Sequence, residues 1–266
     1  MTSFVHTIGA AGLALLVAAG SVRAETIVER PDLDALFVEQ GTPGTFVLLD
    51  VAADRMVVVN RARAETRMVP ASTFKIANSL IALETGAVKD ENEILPYGGG
   101  KQFVKEWERD MGLRDAIRVS NVPVYQEVAR RIGPERMRAM VERLDYGNRQ
   151  IGTVIDRFWL DGPLEISAVE QARFTARLAQ RKLPLSARSQ AIVRDITRLD
   201  EANGAVLYGK TGWAGTLTPK IGWLVGWVER GEAVHAYALN IDMATVQEAP
   251  KRMILVRAML SRLEVM

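Results

Sequence analysis

Apolar and polar residues alternate in a way that divides the chain into two strand-forming ends and a helical middle. Residues 52–55 predict a hairpin between the first two strands, and residues 229–232 predict one between the last two. Five runs rich in β-forming side chains are the predicted strands: 45–51, 56–60, 205–208, 221–228 and 233–241.

Helical spacing of the apolar residues predicts seven helices. Ser167 and Glu170 form a capping-box pattern at the start of one of them, and Gly86 ends another. The predicted helices are residues 31–40, 72–84, 121–131, 134–144, 167–181, 186–199 and 249–263.

These elements predict an α+β fold. The simplest assembly is one antiparallel sheet built from both chain ends, with the terminal helices covering a face. A helical subdomain is then inserted at about residues 85–200, and residues 25–266 form one folded unit. The cleft between the sheet and the helical insertion is the predicted place for a functional site.

Residues 1–24 form a separate element. Residues 8–20 are almost purely apolar but too short to span a bilayer, and Val22-Arg23-Ala24 offers small residues to a signal peptidase. We therefore predict a signal peptide over 1–24 and a periplasmic protein with no membrane span after processing. The alternative is an uncleaved membrane anchor, because no Lys or Arg precedes Ile8.

Composition excludes several kinds of site. The chain has no cysteine and two histidines, one of which, His6, lies in the predicted signal peptide. The remaining His235 cannot build a zinc site of the usual His-rich kind, so no metal is expected. A net charge of +2 with interspersed acids gives no basic face, and no nucleic-acid partner is expected. The run Gly98-Gly99-Gly100-Lys101 lacks the Walker spacing and is interpreted as a turn.

The predicted helix at residues 72–84 carries an anomalous lysine. Apolar residues cover nearly every face around Lys75, so the helix is expected to be buried. Burial disfavours an ammonium and can lower a lysine pKa by about 3–5 units at the extreme. Ser72 lies one turn earlier on the same face, and a hydroxyl beside a neutral amine is an activated nucleophile. Alone, the S-x-x-K pattern is more typical of a serine helix cap followed by a solvent-reaching lysine.

Three further short motifs follow in order. Ser120-Asn121-Val122 opens a helix, Tyr146-Gly147-Asn148 follows a helix end, and Lys210-Thr211-Gly212 follows a strand run. Each alone is typical of an ordinary cap, turn or strand end. The order and spacing of all four motifs together are far more specific.

This motif set resembles that of the class D serine β-lactamases, which share S-x-x-K and K-T-G with penicillin-binding proteins and other serine β-lactamases. Val122 in the second motif, the Y-G-N at 146–148 and Phe158-Trp159-Leu160 favour class D, and the run 251–258 is also family-like. The resemblance covers about residues 72–257. It implies hydrolysis of the β-lactam amide of penicillins and related small molecules, with residues 25–266 as the β-lactamase domain.

The resemblance implies a role for each residue around Lys75. Ser72 would be the nucleophile that becomes the acyl-enzyme. Lys75 would carry CO₂ as a carbamate and act as general base, first toward Ser72 and later toward water. Trp159 would donate its indole N–H to that carbamate, or would simply pack as a buried aromatic residue. Val122 and Leu160 would form an apolar lid over the modified lysine.

Other roles follow from the second and fourth motifs. Ser120 would relay a proton to the leaving lactam nitrogen, supported electrostatically by Lys210. The oxyanion hole would use the backbone N–H groups of Ser72 and of Trp213, the residue after Gly212. The Trp213 side chain would either line the site or pack.

The substrate carboxylate would be held by Thr211 and Arg252 through charge-assisted bonds, with Lys251 and Arg257 as neighbouring alternatives to the arginine. Tyr146 and Asn148 would shape a loop wall. No metal or organic cofactor is implied apart from CO₂ on Lys75.

Three other functions fit parts of this pattern: a β-lactam sensor that stays acylated, a penicillin-binding peptidase, and a folded relative without activity. A sensor would normally follow a multi-span membrane region, and the class D second motif argues against a peptidase. The substrate spectrum and the oligomeric state cannot be read from the sequence.

Overall fold

The computed structural model describes residues 1–2 and 25–266. The predicted signal peptide therefore lies almost entirely outside the described residues, and its cleavage and the periplasmic location stay predictions. Across the described part, the chain forms a seven-stranded sheet. Its strands are β1 (Thr26–Glu29), β2 (Gly44–Asp50), β3 (Arg55–Val59), β4 (Arg198–Ala202), β5 (Ala205–Ala214), β6 (Ile221–Arg230) and β7 (Ala233–Asp242).

The sheet joins the two ends of the chain as predicted. Its strand order is β1-β3-β2-β7-β6-β5-β4, so β2 from the amino end pairs directly with β7 from the carboxyl end. Both predicted hairpins are confirmed, because β2 pairs antiparallel with β3 and β6 with β7. The edge strand β1 runs parallel to β3, which makes the sheet mixed rather than purely antiparallel.

Seven of the described helices occupy nearly the positions that the apolar spacing predicts, and the capping box between Ser167 and Glu170 is present. The two short helices at Arg61–Glu65 and Leu113–Arg118 were not predicted. Short 3-10 turns precede or join several of them, including Pro31–Asp34 before α1 and Ala71–Phe74 before α3. The helices are α1 (Ala35–Glu39), α2 (Arg61–Glu65), α3 (Lys75–Glu84), α4 (Leu113–Arg118), α5 (Val122–Ile132), α6 (Pro134–Arg143), α7 (Ala168–Ala179), α8 (Ala187–Ile196) and α9 (Pro250–Arg262).

Two predicted boundaries were wrong. The helix expected over 186–199 ends at Ile196, because Arg198–Ala202 joins the sheet edge as β4. Strand β5 does not stop at Tyr208 but continues to Ala214, so the K-T-G motif lies inside a strand that pairs with β6 along its whole length. Neither β1 nor β4 was predicted, since both are short edge strands without a regular apolar pattern.

The two faces of the sheet are covered differently. One face is closed by the terminal helices α1 and α9 and is lined mainly by an apolar cluster. Against the other face, the mid-chain helix α7 packs on β2, β6 and β7. Helix α3 lies beyond it, buried against α5 and α8. Among the described residues, no helix is both long and apolar enough to cross a bilayer.

Candidate active site

Ser72 lies in the 3-10 turn that leads into α3, and Lys75 is the first residue of that helix. The Lys75 Nζ atom is 2.7 Å from the Ser72 Oγ atom. Ser72 is half-buried whereas Lys75 is completely buried. The half-buried serine hydroxyl therefore lies next to the buried amine, on the shared face that the spacing predicted.

Burial lowers the pKa of Lys75 well below its ordinary value, and the neighbouring charge of Lys210 lowers it further. The Tyr125 ring, whose centroid is 5.2 Å from Nζ, favours an ammonium. A cation–π contact contributes only about 0.5–2 kcal/mol, whereas burying an unpaired charge costs several kcal/mol. Burial therefore wins, and the neutral amine can accept a hydrogen bond from the Ser72 hydroxyl.

Aromatic rings close the site beside Ser72. Phe74 stacks on Trp159 at 5.6 Å between ring centroids and meets Phe158 edge-on at 5.1 Å. Trp159 is completely buried, yet its indole Nε1 has no hydrogen-bond partner among the described residues. Leaving such a donor unsatisfied costs about 1–3 kcal/mol, which marks the place of an acceptor that the protein itself does not supply.

Strand β5 brings the K-T-G motif against the Ser72 turn. A Cβ on Gly212 would come within 2.9 Å of the Pro70 carbonyl oxygen and 3.3 Å of the Thr73 backbone nitrogen. Only glycine lets the strand approach the turn this closely. The Trp213 side chain instead donates its indole N–H to the Met243 carbonyl at 3.0 Å and packs against the apolar face of the sheet.

Lys210 lies buried next to Lys75. Its Nζ donates to the carbonyl and the hydroxyl of Thr211, at 3.1 and 3.2 Å. Burial lowers the pKa of Lys210 to about 7, with a further contribution from the charge of Arg252. At neutral pH this amine can therefore hold or release a proton, which suits a group that supports proton transfer.

The guanidinium of Arg252 donates to the Gly212 carbonyl oxygen at 2.7 Å. Lys251 instead pairs with Glu248, and Arg257 pairs with Asp200 on the surface. Burial lowers the pKa of Arg252 to about 10. Of the three neighbouring cations that the sequence offered, the structure thus places Arg252 beside the K-T-G strand.

The buried amines of Lys75 and Lys210 and the half-buried guanidinium of Arg252 form a cluster of basic groups. Within the described part of the chain, no Asp or Glu is buried, and no carboxylate lies within 4.0 Å of any of these three side chains. Unpaired buried cations are costly. The cluster is therefore suited to bind an anion.

The second motif approaches the same region but makes fewer contacts than expected. Ser120 has a positive φ of 58°, and the Asn121 side chain caps α5 by accepting from the Val124 N–H. Over the residues that the structure describes, no hydrogen bond joins the Ser120 hydroxyl to Lys75 or Lys210. Val122 and Leu160 are half-buried, and Leu160 packs on the main apolar cluster.

The Y-G-N motif builds a loop wall. The Asn148 side chain accepts from the backbone N–H groups of Gln150 and Glu165 and donates to the Pro163 carbonyl. Gly147 has a φ of 55°, and a Cβ there would lie 2.1 Å from the Glu165 carbonyl oxygen. The motif therefore fixes the segment that leads to α7, as expected for Asn148.

Sequence reasoning missed residues that hold the Ser72 turn. Trp223 donates its indole N–H to the Val69 carbonyl at 3.0 Å. Gln171 on α7 donates to the Thr73 hydroxyl at 2.8 Å. A signal existed for Gln171, since it is, with Thr175, a polar residue on the mainly apolar buried face of α7. Nothing in the strand pattern distinguished Trp223 from a packed core residue.

The residues around Lys75 fit a carbamate. An amine must be neutral to react with CO₂, and burial keeps Lys75 neutral. The unsatisfied Trp159 N–H can donate to one of the carbamate oxygens. A metal is not needed for this fit, and no cluster of three or more His, Asp or Glu suited to a metal occurs in the described ranges.

Comparisons with known proteins identify the family. The penicillin-binding-protein transpeptidase domain matches residues 39–260. The β-lactamase OXA-5 of Pseudomonas aeruginosa is 40% identical over 91% of this chain and 92% of its own. The β-lactamase OXA-48 of Klebsiella pneumoniae is 45% identical over 82% of each chain.

Similar solved structures belong to the same family as these relatives. The class D β-lactamase FUS-1 (OXA-85) of Fusobacterium nucleatum subsp. polymorphum has a TM-score of 0.87 and 42% identity, over 90% of this chain and 100% of that one. A class D β-lactamase from Nostoc has a TM-score of 0.85 and 41% identity, over 88% and 99% of the two chains. The resemblance deduced from four short motifs is confirmed: this chain belongs to the class D β-lactamases, within the penicillin-binding-protein transpeptidase fold.

Proposed function

We propose that this protein hydrolyses the amide bond of penicillins and related β-lactams through an acyl-enzyme on Ser72. The main observation in support is the 2.7 Å contact between Ser72 Oγ and the buried amine of Lys75. That amine has no carboxylate partner in the described residues, so it is free to act as a base or to be modified. The named activity of the class D relatives supports the same reaction.

In the acylation step, Ser72 Oγ attacks the lactam carbonyl carbon and loses its proton toward the Lys75 side. The backbone N–H groups of Ser72 and Trp213 are the proposed donors to the resulting oxyanion. Oriented backbone donors of this kind are worth about 10²–10³ in kcat. The close packing of Gly212 in β5 against Pro70 and Thr73 of the Ser72 turn supports this pairing of donors.

The lactam C–N bond then breaks, and its nitrogen needs a proton. We assign this delivery to Ser120, supported by Lys210. Burial holds the pKa of Lys210 at about 7, so the amine is poised to exchange a proton near neutral pH. The strained φ of 58° at Ser120 is typical of a residue held in place for function.

Deacylation requires a general base that is still available after Ser72 has been acylated. A carbamate on Lys75 would supply an anionic general base for both the attack of Ser72 and the later attack of water. Trp159 would hold it through the otherwise unpaired indole N–H. Val122 and Leu160 would limit the access of bulk water to the modified lysine.

The substrate carboxylate is proposed to lie between Thr211 and Arg252. Arg252 is anchored on the Gly212 carbonyl and remains cationic, because its lowered pKa of about 10 is still well above neutral pH. Bound there, the carboxylate would offset part of the charge of the buried cations and raise the pKa of Lys210.

The test is penicillin hydrolysis by purified residues 25–266 in CO₂-depleted buffer, with and without added bicarbonate. The Ser72→Ala and Lys75→Ala variants are assayed beside the wild type. Ser189→Ala is the matched control, because Ser189 is a buried serine on α8. We expect turnover that bicarbonate increases, no acylation of Ser72→Ala, and slow acylation without release for Lys75→Ala.

Other outcomes identify the rivals. A single acylation of the wild type without release indicates a sensor, and turnover of acyl-D-alanyl peptides in place of penicillin indicates a peptidase. No reaction at all indicates a relative that has lost activity. Turnover that ignores both bicarbonate and Lys75 keeps the enzyme class and contradicts the carbamate.

We also propose that the protein acts in the periplasm after removal of residues 1–24. Support comes from the short apolar run at 8–20 and the small residues around Arg23. Amino-terminal sequencing of protein recovered from a periplasmic extract should begin at Glu25. Retention of the full chain in the membrane fraction would instead indicate an anchor.

A further inference from the structure

A chain of buried hydrogen bonds runs from helix α7 to the turn that carries Ser72. Gln171 Nε2 donates to Thr73 Oγ1 at 2.8 Å, and Thr73 Oγ1 donates to the Pro70 carbonyl at 2.8 Å. The Tyr146 hydroxyl donates to Gln171 Oε1 at 3.4 Å. Gln171 and Thr73 are each 1% exposed and Tyr146 is fully buried, so water cannot replace a lost partner without entering the core.

The turn held by this chain is strained. Ala71, directly before Ser72, has a φ of +49°, which a residue with a Cβ rarely adopts. Such a conformation costs of order 1–3 kcal/mol and persists only where the surroundings impose it. Trp223 holds the turn from the sheet side through Val69, and Gln171 holds it from α7.

The direction of the bonds gives Gln171 a specific task. A threonine hydroxyl has one proton, and because Gln171 donates to Thr73 Oγ1, that proton is directed to the Pro70 carbonyl. The Thr73 backbone N–H also donates to Pro70, at 3.2 Å. Without the amide of Gln171, the Thr73 hydroxyl loses the partner that fixes its orientation.

The same segment forms the contact between the turn and strand β5. The Pro70 carbonyl and the Thr73 backbone nitrogen are the atoms that a Cβ on Gly212 would meet. A shift of Pro70 or Thr73 would therefore change the spacing between the Ser72 and Trp213 backbone N–H groups. A misplacement of about 1 Å in such an arrangement can cost about 10²-fold in rate.

We propose that Gln171 is a positioning residue for acylation, which acts through Thr73 to hold Ser72 Oγ and the backbone N–H groups in register. The inference rests on the proposed function and adds a residue that does not touch the substrate. Loss of Gln171 should lower the acylation rate constant and leave the dissociation constant of the first complex unchanged, because Thr211 and Arg252 are untouched.

The experiment compares Gln171→Met with Gln190→Met. Gln190 is a matched control, since it is 2% exposed, lies on α8 and makes three hydrogen bonds, to Leu183 and Leu185. Single-turnover acylation by a penicillin is followed by stopped flow and by intact mass of the protein. The thermal unfolding midpoint is measured on the same samples.

We expect Gln171→Met to acylate roughly 10- to 100-fold more slowly, and Gln190→Met to stay within about twofold of wild type even where its unfolding midpoint falls further. Thr73→Val should reproduce the Gln171→Met defect, whereas Thr73→Ser, which keeps the hydroxyl, should not. The double variant Gln171→Met/Thr73→Val should be no slower than Thr73→Val alone, because the glutamine acts through the threonine.

Two results overturn the inference: acylation of Gln171→Met at the wild-type rate, or equal slowing of Gln171→Met and Gln190→Met in proportion to lost stability. If Gln171→Met does not fold, the Thr73→Val and Thr73→Ser pair decides in the same way. Failure of the proposed function looks different, because then the wild type itself is not acylated, and the role of Gln171 falls with it.

Discussion

The two faces of the sheet carry opposite chemistry. Under α1 and α9, the buried side chains are apolar, such as Phe37, Leu239 and Leu260. On the side of α3 and α7 lie the buried amines of Lys75 and Lys210, and Arg252 reaches the K-T-G strand from α9. Over the described ranges, no buried carboxylate lies beside those basic groups to compensate a positive charge on them.

The comparison shows how one fold separates stability from reactivity. The apolar face gains free energy from burial, about 25 cal/mol per Å² of apolar surface. The cationic face loses free energy through buried, unpaired basic groups. A protein tolerates that loss where it lowers the pKa of a lysine enough for the amine to exchange a proton near neutral pH. Here the pKa values of Lys75 and Lys210 are both lowered.

The largest effect expected concerns Lys75. Lys75→Met conserves the shape of the side chain but removes the amine, so penicillin turnover should fall by about 10³-fold or more. Because a buried basic group is replaced by an apolar one, the free energy of unfolding should rise by about 1–3 kcal/mol. Steady-state hydrolysis and urea denaturation check both. A loss of stability together with activity would show that Lys75 is instead a structural contact.

The apolar face should respond in the opposite way. Leu260 on α9 is completely buried, and Leu260→Ala should lower the free energy of unfolding by about 2–5 kcal/mol. Turnover per folded molecule should stay nearly unchanged, since Leu260 lies eight residues beyond Arg252 on α9, and only Arg252 and the packed side chain of Trp213 connect this face to the proposed site. Urea denaturation and hydrolysis at a temperature where the variant is folded are the measurements. A large drop in turnover would contradict the separation of the two faces.

A third prediction concerns Arg252, which contacts the K-T-G strand. Arg252→Met should reduce kcat/KM for penicillin by roughly 10- to 100-fold, mainly through KM, because the substrate carboxylate loses a charged partner. Arg257→Met is the matched control, since Arg257 lies on the same helix, half exposed, and pairs with Asp200. Equal kinetics for the two variants would place the carboxylate elsewhere.

The last prediction is a gradual pH dependence of stability. In the folded protein the pKa of Lys210 is about 7, whereas in the unfolded chain it keeps its ordinary value of 10.5. Between these values the unfolded chain binds more protons, so the unfavourable contribution of Lys210 to stability shrinks as pH rises, by at most about 1.4 kcal/mol per pH unit. Below pH 7 both states are charged and the full cost is present.

Lys210→Met removes that cost. Its advantage over the wild type in free energy of unfolding should therefore be largest at pH 7 and below, and should diminish toward pH 10. Urea denaturation at a series of pH values measures the difference. A difference that stays constant over this range would show that the pKa of Lys210 is not lowered.

Much of this architecture follows from the sequence. Periodicity located α3, α5, α6, α7 and α9 because each has a clear cap or an apolar stripe, and the hairpins followed from polar runs between β-forming segments. The edge strands β1 and β4 were not predicted, since their side chains are mostly exposed and show no apolar alternation. The sequence predicted that the K-T-G motif follows the strand, whereas the motif lies inside β5. Gly209 and Gly212, which are atypical of strands, obscured the continuation of β5.

The site divides in the same way. Ser72 and Lys75 could be paired from spacing alone, because residues three positions apart on a helix share a face. The contacts of Lys210, Arg252 and Trp159 depend on packing between distant segments, and only the family resemblance brought them together in advance. Gln171 and Trp223 contact the Ser72 turn from other elements: a polar residue on the buried face of α7 was a signal for Gln171, whereas no local pattern distinguished Trp223.

The central claim is that Lys75 is a neutral buried amine that takes up CO₂. The direct measurement is ¹³C NMR of the protein equilibrated with ¹³C-bicarbonate, beside Lys75→Met and Trp159→Phe. We predict one carbamate resonance in the wild type, none in Lys75→Met, and in Trp159→Phe a resonance that needs about tenfold or more bicarbonate, because the holding N–H is lost. An active wild type without that resonance, or a resonance that persists without Lys75, would contradict the account.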